Sequence, residues 1–557
     1  MPRGTTHAFS KRMSAGLLLL ACVLCLAPFA DKAFHIDDPL FVWAARHIQS
    51  HPLDFYGFTV NWDGFEKPMS EVTKNPPLAS YYLALAASLF GWTERALHLA
   101  FLLPAAAAVL GTWVLAMDLC DRPFVAALAC LATPVFLVSS TSVMCDTLML
   151  ALWVWAIYFW RRGLRGGGPT HLALASLLVA ACGLTKYFGV SLIPLLAVFS
   201  IVDKRDVRRW LPFLIVPTLF LCAYQWGTHA MYGRNLLLDA GSYARDVRFW
   251  NGGNALTKAL TGTVFAGGCF ITAVLSAPWA WRKGFLAIVA ILACGVTLAL
   301  QQLAPGIPFR FPVTPRPGLD WPFLLQVCLF LFSGACVIAL AVTDLWRARD
   351  ADSLLLFLWM MGTIVFAGAL NWSVNGRSIL PAAPAFAILL VRQMGRRKPA
   401  GRDRVLGLDG LPVAAALLIS LAVARADYRA ANTARQAALE IQDAFKSAPG
   451  SLWFQGHWGF QYYLERAGGK STDFATSNVQ PGDIVVIPSS NTNTKPFRPE
   501  WVSFVREFRY RPDRLLATMD RESGAGFYSD GYGALPFAIA SGAEDKYAAV
   551  RLIRPLR

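Results

Sequence analysis

Long apolar runs, broken only by short charged loops, recur from Ser14 to about Arg425. A backbone surrounded by lipid must satisfy its own N–H and C=O groups, so runs of this length read as membrane-spanning helices. Hydrophobic residues make up 55% of the 557 and charged residues 15%, whereas a soluble domain carries roughly 25% charge. Spans are expected at 14–30, 95–117, 123–140, 144–160, 171–184, 187–202 and 211–228. Further spans follow at 258–280, 284–304, 321–343, 353–371, 377–391 and 410–425, about thirteen in all. From residue 426 onward the composition becomes that of a soluble domain. There Ser451-Leu-Trp-Phe454, Asp483-Ile-Val-Val-Ile487 and Ala549-Val-Arg-Leu-Ile553 read as strands, and residues around 426–446 as a helix. The chain therefore divides into a transmembrane part, 1–425, carrying a loop at 31–94, and a small α/β domain, 426–557.

The formal charge of +16 does not point to nucleic acid, because the basic residues cluster in short loops between apolar runs. Lys11-Arg12, Arg161-Arg162, Lys204-Arg205 with Arg208-Arg209, Arg282-Lys283 and Arg392 to Arg404 all fall on one membrane face under this span count. That distribution obeys the positive-inside rule, with the N-terminus cytoplasmic and the first span an uncleaved anchor. The acidic loop 31–94, the loop 229–257, the Pro-rich 305–320 and the C-terminal domain then lie outside, periplasmic or extracellular. A bacterial inner (plasma) membrane is the natural setting. Segment 171–202 reads as two short spans meeting at the outer face. A single span would bury Lys186 near the bilayer centre, at a cost of several kcal/mol. All 11 cysteines lie in or beside apolar segments without metal-ligand spacing, as small buried hydrophobes do.

Charged groups on the outer face are the candidate chemistry, since acids beside a membrane span default to a functional reading. Asp37 and Asp38, in His35-Ile-Asp-Asp-Pro39, suit a general base or a pair handling a metal or phosphate. Capping of the helix after Pro39 is the structural alternative, with Asp38 as cap and Asp37 facing the cavity. Asp146 opens the fourth span and Lys186 the hairpin at 171–202. Arg377, in Asn371-Trp-Ser-Val-Asn-Gly-Arg377, breaks the positive-inside pattern. Either cation suits an anionic headgroup or simply reaches for water. Lys74 and Tyr82 flank Asn75-Pro-Pro-Leu78, where spacing alone assigns Tyr82 no role. His229 and Tyr243 stand in a loop of aromatics and arginines that suits sugars, phosphates or any membrane interface. Trp453 to Tyr463 is aromatic and polar, as an acceptor surface or a buried β-α corner would be. Walker A, GxGxxG, GxSxG and HExxH patterns are absent from the sequence.

In order, these segments resemble the family 39-like membrane glycosyltransferases: protein O-mannosyltransferases, the aminoarabinose transferases of lipid A and the Rgt-type galacturonosyltransferases. Asp37-Asp38-Pro-Leu-Phe41, then Asn75-Pro-Pro-Leu78 through Tyr81-Tyr82 to Leu89-Phe90-Gly91, is similar to their opening. Thr141 to Met149, Gly183-Leu-Thr185-Lys186-Tyr187, and Arg377 with Pro381 and Pro384 are similar to their later motifs. The resemblance implies a C-type glycosyltransferase fold that takes a polyprenyl-phosphate sugar as donor. The acceptor is a lipid, a glycan or a protein, and the anomeric configuration inverts. It implies Asp37 as general base, with Asp38 and Asp146 beside it in the catalytic set, and Lys186 and Arg377 on the departing phosphate. Lys74, Tyr82, His229 and Tyr243 are then acceptor or loop contacts. The family often has Asp-Glu where this chain has Asp37-Asp38, and Tyr at Phe41. Aminoarabinose transferases carry Glu-Lys-Pro where this chain reads Lys74-Asn75-Pro76, so no cofactor is assigned and a divalent metal is left open. A transporter or flippase of a lipid-linked glycan is the alternative. It calls for charges deep in the spans and pseudo-symmetric halves, but here the charges gather at one surface and no repeat is visible.

Overall fold

A computed structural model describes residues 11–204, 206–250, 255–302, 320–397 and 410–554, without the side chains of 248–250 and 301–302. Arg205, the Arg248 side chain, most of the Pro-rich loop and the basic stretch beyond Arg397 lie outside the described residues.

Each of the thirteen apolar segments is helical along most of its described residues. The first is α1 (Lys11–Leu26), after which the chain turns through the loop carrying Asp37 into a short amphipathic α2 (Asp38–Ser50). A two-stranded ribbon, β1 (Thr59–Asn61) and β2 (Glu66–Pro68), and a short helix α3 (Leu78–Phe90) complete this loop. α4 (Glu94–Leu119) starts at Thr93, whose hydroxyl accepts from the Ala96 N–H. The next span is broken at Pro134 into α5 (Pro123–Leu131) and α6 (Pro134–Ser140), bent by 62°, because proline removes a helical hydrogen bond. α7 (Cys145–Arg162) follows.

Pro169–Thr185 (α8) and Leu192–Asp203 (α9) form a hairpin. Arg165, ahead of α8, meets Asp203 at the end of α9 at 2.5 Å, so the distal ends converge. Lys186 is left at the tip, in extended backbone (φ −151°, ψ 134°). Next come α10 (Leu211–Tyr232), α11 (Leu236–Trp250), α12 (Ala255–Cys269) and α13 (Lys283–Gln302). α14 (Trp321–Ala348) and α15 (Ala351–Val365) precede α16 (Ala383–Arg397). α11 lies within 229–257, expected as loop. Among the described residues eight helices are long and apolar enough to cross a membrane, or nine with the bent pair counted as one. Gly267 and Gly334 let α12 and α14 touch backbone to backbone. A Cβ on Gly267 would overlap the Phe330 carbonyl, and one on Gly334 the Thr263 carbonyl, as small residues allow between membrane helices.

The last helix, α17 (Leu411–Phe445), runs 35 residues without a break, from the apolar segment into the C-terminal domain. At 1.5 Å per residue it is about 52 Å long. The domain is a mixed five-stranded sheet built from β3 (Leu452–Phe454), β4 (Lys470–Ser471), β5 (Ile484–Pro488), β6 (Val502–Tyr510) and β7 (Asp545–Leu552), in the order β4-β3-β5-β7-β6. β3 is parallel to both neighbours, and β7 is antiparallel to β5 and β6. Helix α18 (Trp458–Arg466) packs between sheet and bundle.

Candidate active site

Asp37 and Asp38 meet different surroundings. Asp38 is fully buried. Its Oδ2 accepts from the His35 N–H at 2.8 Å and its Oδ1 from the Val143 N–H at 2.9 Å. Burial pushes its pKa up to about 7, against the pull of Lys32 and the two N–H donors. Asp38 therefore ties the loop to the turn before α7 rather than capping α2, and the Asp37 side chain makes no cap bond either. Asp37 stays partly exposed, and its Oδ2 accepts from Arg377 Nη2 at 2.9 Å.

Arg377 is the hub of the site. Its Nη1 lies 3.9 Å from Asp146 Oδ2, and Lys186 Nζ reaches Asp146 Oδ1 at 2.5 Å. Asp37, Asp146, Lys186 and Arg377, drawn from four separate segments, thus form one alternating chain of charges. Two groups keep unused capacity: Arg377 Nε and Asp146 Oδ2 are buried without a hydrogen-bond partner. At the far end of α7, Arg161 pairs instead with Asp118 and Asp352.

Lys74 and Tyr243 come together at the rim, with the Lys74 amine 5.1 Å from the Tyr243 ring centroid. The Tyr243 ring lies 6.1 Å from Trp372, on the loop that carries Arg377. Burial, then Arg234, lowers the Lys74 pKa. Tyr82 sits elsewhere, donating to the Ala100 carbonyl at 2.6 Å and fastening α3 to α4. His229 is exposed on the last turn of α10, apart from the charge chain.

Several residues of the site escaped the sequence reading. Lys32 and Asp427, both fully buried, pair at 2.6 Å. The other contacts of Asp427 are the Tyr528 hydroxyl at 2.9 Å and the Thr518 hydroxyl at 3.0 Å. The Tyr528 ring lies 5.6 Å from the Arg377 guanidinium. Asp530 accepts from the Ser373 hydroxyl at 2.9 Å, and the Gly376 N–H donates to the Phe527 carbonyl at 2.7 Å. The C-terminal domain thus holds the Arg377 loop directly. A signal did exist, because Lys32 breaks the positive-inside pattern just as Arg377 does. Within the Trp453–Tyr463 motif, His457 and Tyr463 are buried in a β-α corner, while Trp458 stays half-buried. His457 Nδ1–H donates to the Trp62 carbonyl at 2.9 Å, and the Tyr463 hydroxyl donates to Glu94 Oε1 at 3.0 Å.

An apolar groove of about 410 Å³ begins at Tyr187, next to Lys186, and runs between α7, α9 and α15. Trp153, Phe188, Leu195, Leu358 and Phe366 line it. A resident metal does not suit this donor set. Both site carboxylates already face cations, and no cluster of three or more His, Cys, Asp or Glu suited to a metal ion occurs among the described residues.

Residues 74–226 match the family model of dolichyl-phosphate-mannose-protein mannosyltransferases. Over this stretch the chain is similar to that family. The matched stretch contains the Asn75, Asp146 and Lys186 motifs, while Asp37 and Arg377 lie outside it. The fold is a set of apolar helices followed by a small C-terminal sheet domain. Two solved membrane-protein structures align along most of the chain. ArnT from Cupriavidus metallidurans, bound to undecaprenyl phosphate, aligns at 14% identity and TM-score 0.43, over 86% of this chain and 94% of its own. The Archaeoglobus fulgidus oligosaccharyltransferase aligns at 14% identity and TM-score 0.45, over 84% of this chain and 65% of its own. A search of curated protein sequences finds no match.

Proposed function

We propose that this chain is a membrane glycosyltransferase that moves a sugar from a polyprenyl-phosphate donor to a hydroxyl of a lipid, glycan or protein acceptor. The reaction runs at the outer face of a bacterial inner membrane, with the C-terminal domain outside. The observation that carries this reading is the junction of the charge chain with the apolar groove. A phosphate between Lys186 and Arg377 leaves its isoprenoid tail at the mouth of the groove that starts at Tyr187.

Asp37 is the base in this reading, since its carboxylate is the partly exposed one of the adjacent pair. It takes the acceptor proton as the hydroxyl oxygen bonds to the anomeric carbon from the face opposite the phosphate. The anomeric carbon–oxygen bond breaks, the phosphate keeps the electron pair, and the configuration inverts. Charge develops on that phosphate, where Lys186 and the unpartnered Nε of Arg377 stabilise it. Asp146 holds both cations in place, Asp38 braces the loop behind Asp37, and Lys74 and Tyr243 contact what enters at the rim.

The test is transfer from radiolabelled polyprenyl-phosphate sugars in membranes holding wild type or Asp37→Asn at matched expression. Loss of a positioned base lowers transfer on the order of 100-fold or more. Equal transfer by both proteins removes Asp37 from the role. Absence of transfer, with equal lipid-sugar movement across the membrane in both, overturns the transferase reading in favour of a transporter.

A further inference from the structure

A second cavity, of about 350 Å³, lies on the other side of the Asp37 loop, between that loop, α17 and the C-terminal domain. Its size falls within the roughly 300–1,000 Å³ of small-molecule sites. The groups facing it include His35, Ile36, Trp458, Arg521, Glu522 and Tyr532.

Four residues other than glycine have positive φ among those described, and two of them line this cavity: Ile36 (φ 49°) and Trp458 (φ 66°). A β-branched or bulky residue held there is strained, and such strain gathers at functional sites. The rings of Trp458 and Tyr532 lie 6.1 Å apart, tilted by 47°, which makes an angled aromatic wall. His35, edge-on to Tyr528 at 5.4 Å, keeps a buried Nε2 without a hydrogen-bond partner. Burial lowers its pKa to about 4, so the ring is neutral and able to bond a hydroxyl.

Five carboxylates and two cationic side chains line the cavity. Asp513, Asp520, Glu544 and Asp545 are engaged by neighbouring donors, which leaves Glu522. With Asp513 and Glu544 paired to arginines outside the lining, Asp520, Glu522 and Asp545 face Arg521 and Lys546, so the cavity offers a phosphorylated ligand no net positive charge. Aromatic faces, a neutral imidazole and a free carboxylate are what a neutral, polyhydroxylated ring requires.

We propose that this cavity is a saccharide subsite, in which one neutral sugar unit of the acceptor stacks on Trp458 and Tyr532 and bonds His35 Nε2 and Glu522. The identity of the ligand as acceptor rests on the transferase reading; the binding of sugar does not. Ile36 immediately precedes Asp37, so a sugar held here bears on the loop that carries the base.

Saturation-transfer NMR on the full chain in amphipol, a sugar-free medium, tests the subsite. The probes are methyl glucoside, methyl galactoside, methyl mannoside and glucose 6-phosphate. At least one neutral glycoside is expected to receive saturation more strongly than the phosphate. Binding should weaken about fivefold or more in Trp458→Ala and again in Glu522→Gln, a surface change that spares the fold. It should persist in Asp37→Asn and after loading with polyprenyl phosphate. Signals that survive both cavity variants, that vanish with Asp37→Asn or lipid loading, or that never appear overturn the subsite. Transfer without Trp458-dependent binding removes the subsite alone. Trp458-dependent binding without transfer removes the transferase reading alone.

Discussion

Asp38 is closed off with both oxygens bonded, while Asp37 keeps an open carboxylate against Arg377. The sequence marks the pair as unusual. It does not say which member faces the cavity, because that depends on Val143, over a hundred positions away. His457 shows the same limit, reading from sequence as a possible acceptor contact. Buried among Trp62, Thr492 and Trp458, it has a pKa lowered to about 4, first by desolvation. The unfolded chain binds that proton near pH 6.5, so stability from the neutral ring is full above 6.5 and is lost as pH falls toward 4. Between pH 6.5 and 5 this amounts to about 2 kcal/mol. Melting curves should shift down over that interval, and His457→Gln should have a shallower pH dependence; an equal slope in both proteins removes His457 as the source.

At the scale of elements, the glycine contact between α12 and α14 sets how closely the two spans approach. Gly267→Leu forces side-chain atoms into the Phe330 carbonyl. Overpacking costs typically 1–3 kcal/mol, so the variant should melt several degrees lower and yield less folded protein from membranes; a wild-type melting curve would show that the helices can separate freely. The helices themselves were legible, since a lipid environment demands long apolar runs. The hairpin at Lys186 was legible because a charge cannot rest at mid-bilayer. α11 was not, because a short helix carrying Asp239, Arg245 and Asp246 has no such run. Strand β6 was missed for a related reason: as an edge strand it exposes Phe504 and Val505 and buries little. Of the site, the four charges were readable as types on one face. Their pairing was not, because each comes from a different segment.

For the whole molecule, the buried Lys32–Asp427 pair joins the first loop to the helix that enters the C-terminal domain, and Tyr528 and Thr518 join the domain to the same carboxylate. Removing one partner of a buried pair costs about 3–5 kcal/mol. Asp427→Asn should therefore lower both stability and transfer. Lys32→Met with Asp427→Leu should recover stability better than it recovers transfer, because Tyr528 then loses its acceptor beneath Arg377. Melting and transfer assays on the same preparations separate the two effects, and parallel recovery of both would reduce the pair to a purely structural role.

Lys32 and Asp427 are 395 positions apart in the chain. A ribosome adding roughly 5–20 residues per second needs about 20–80 s to travel that distance. Over that interval Lys32 has been made and the carboxylate that pairs with it in the fold has not, so the buried pair closes only once α17 is synthesised.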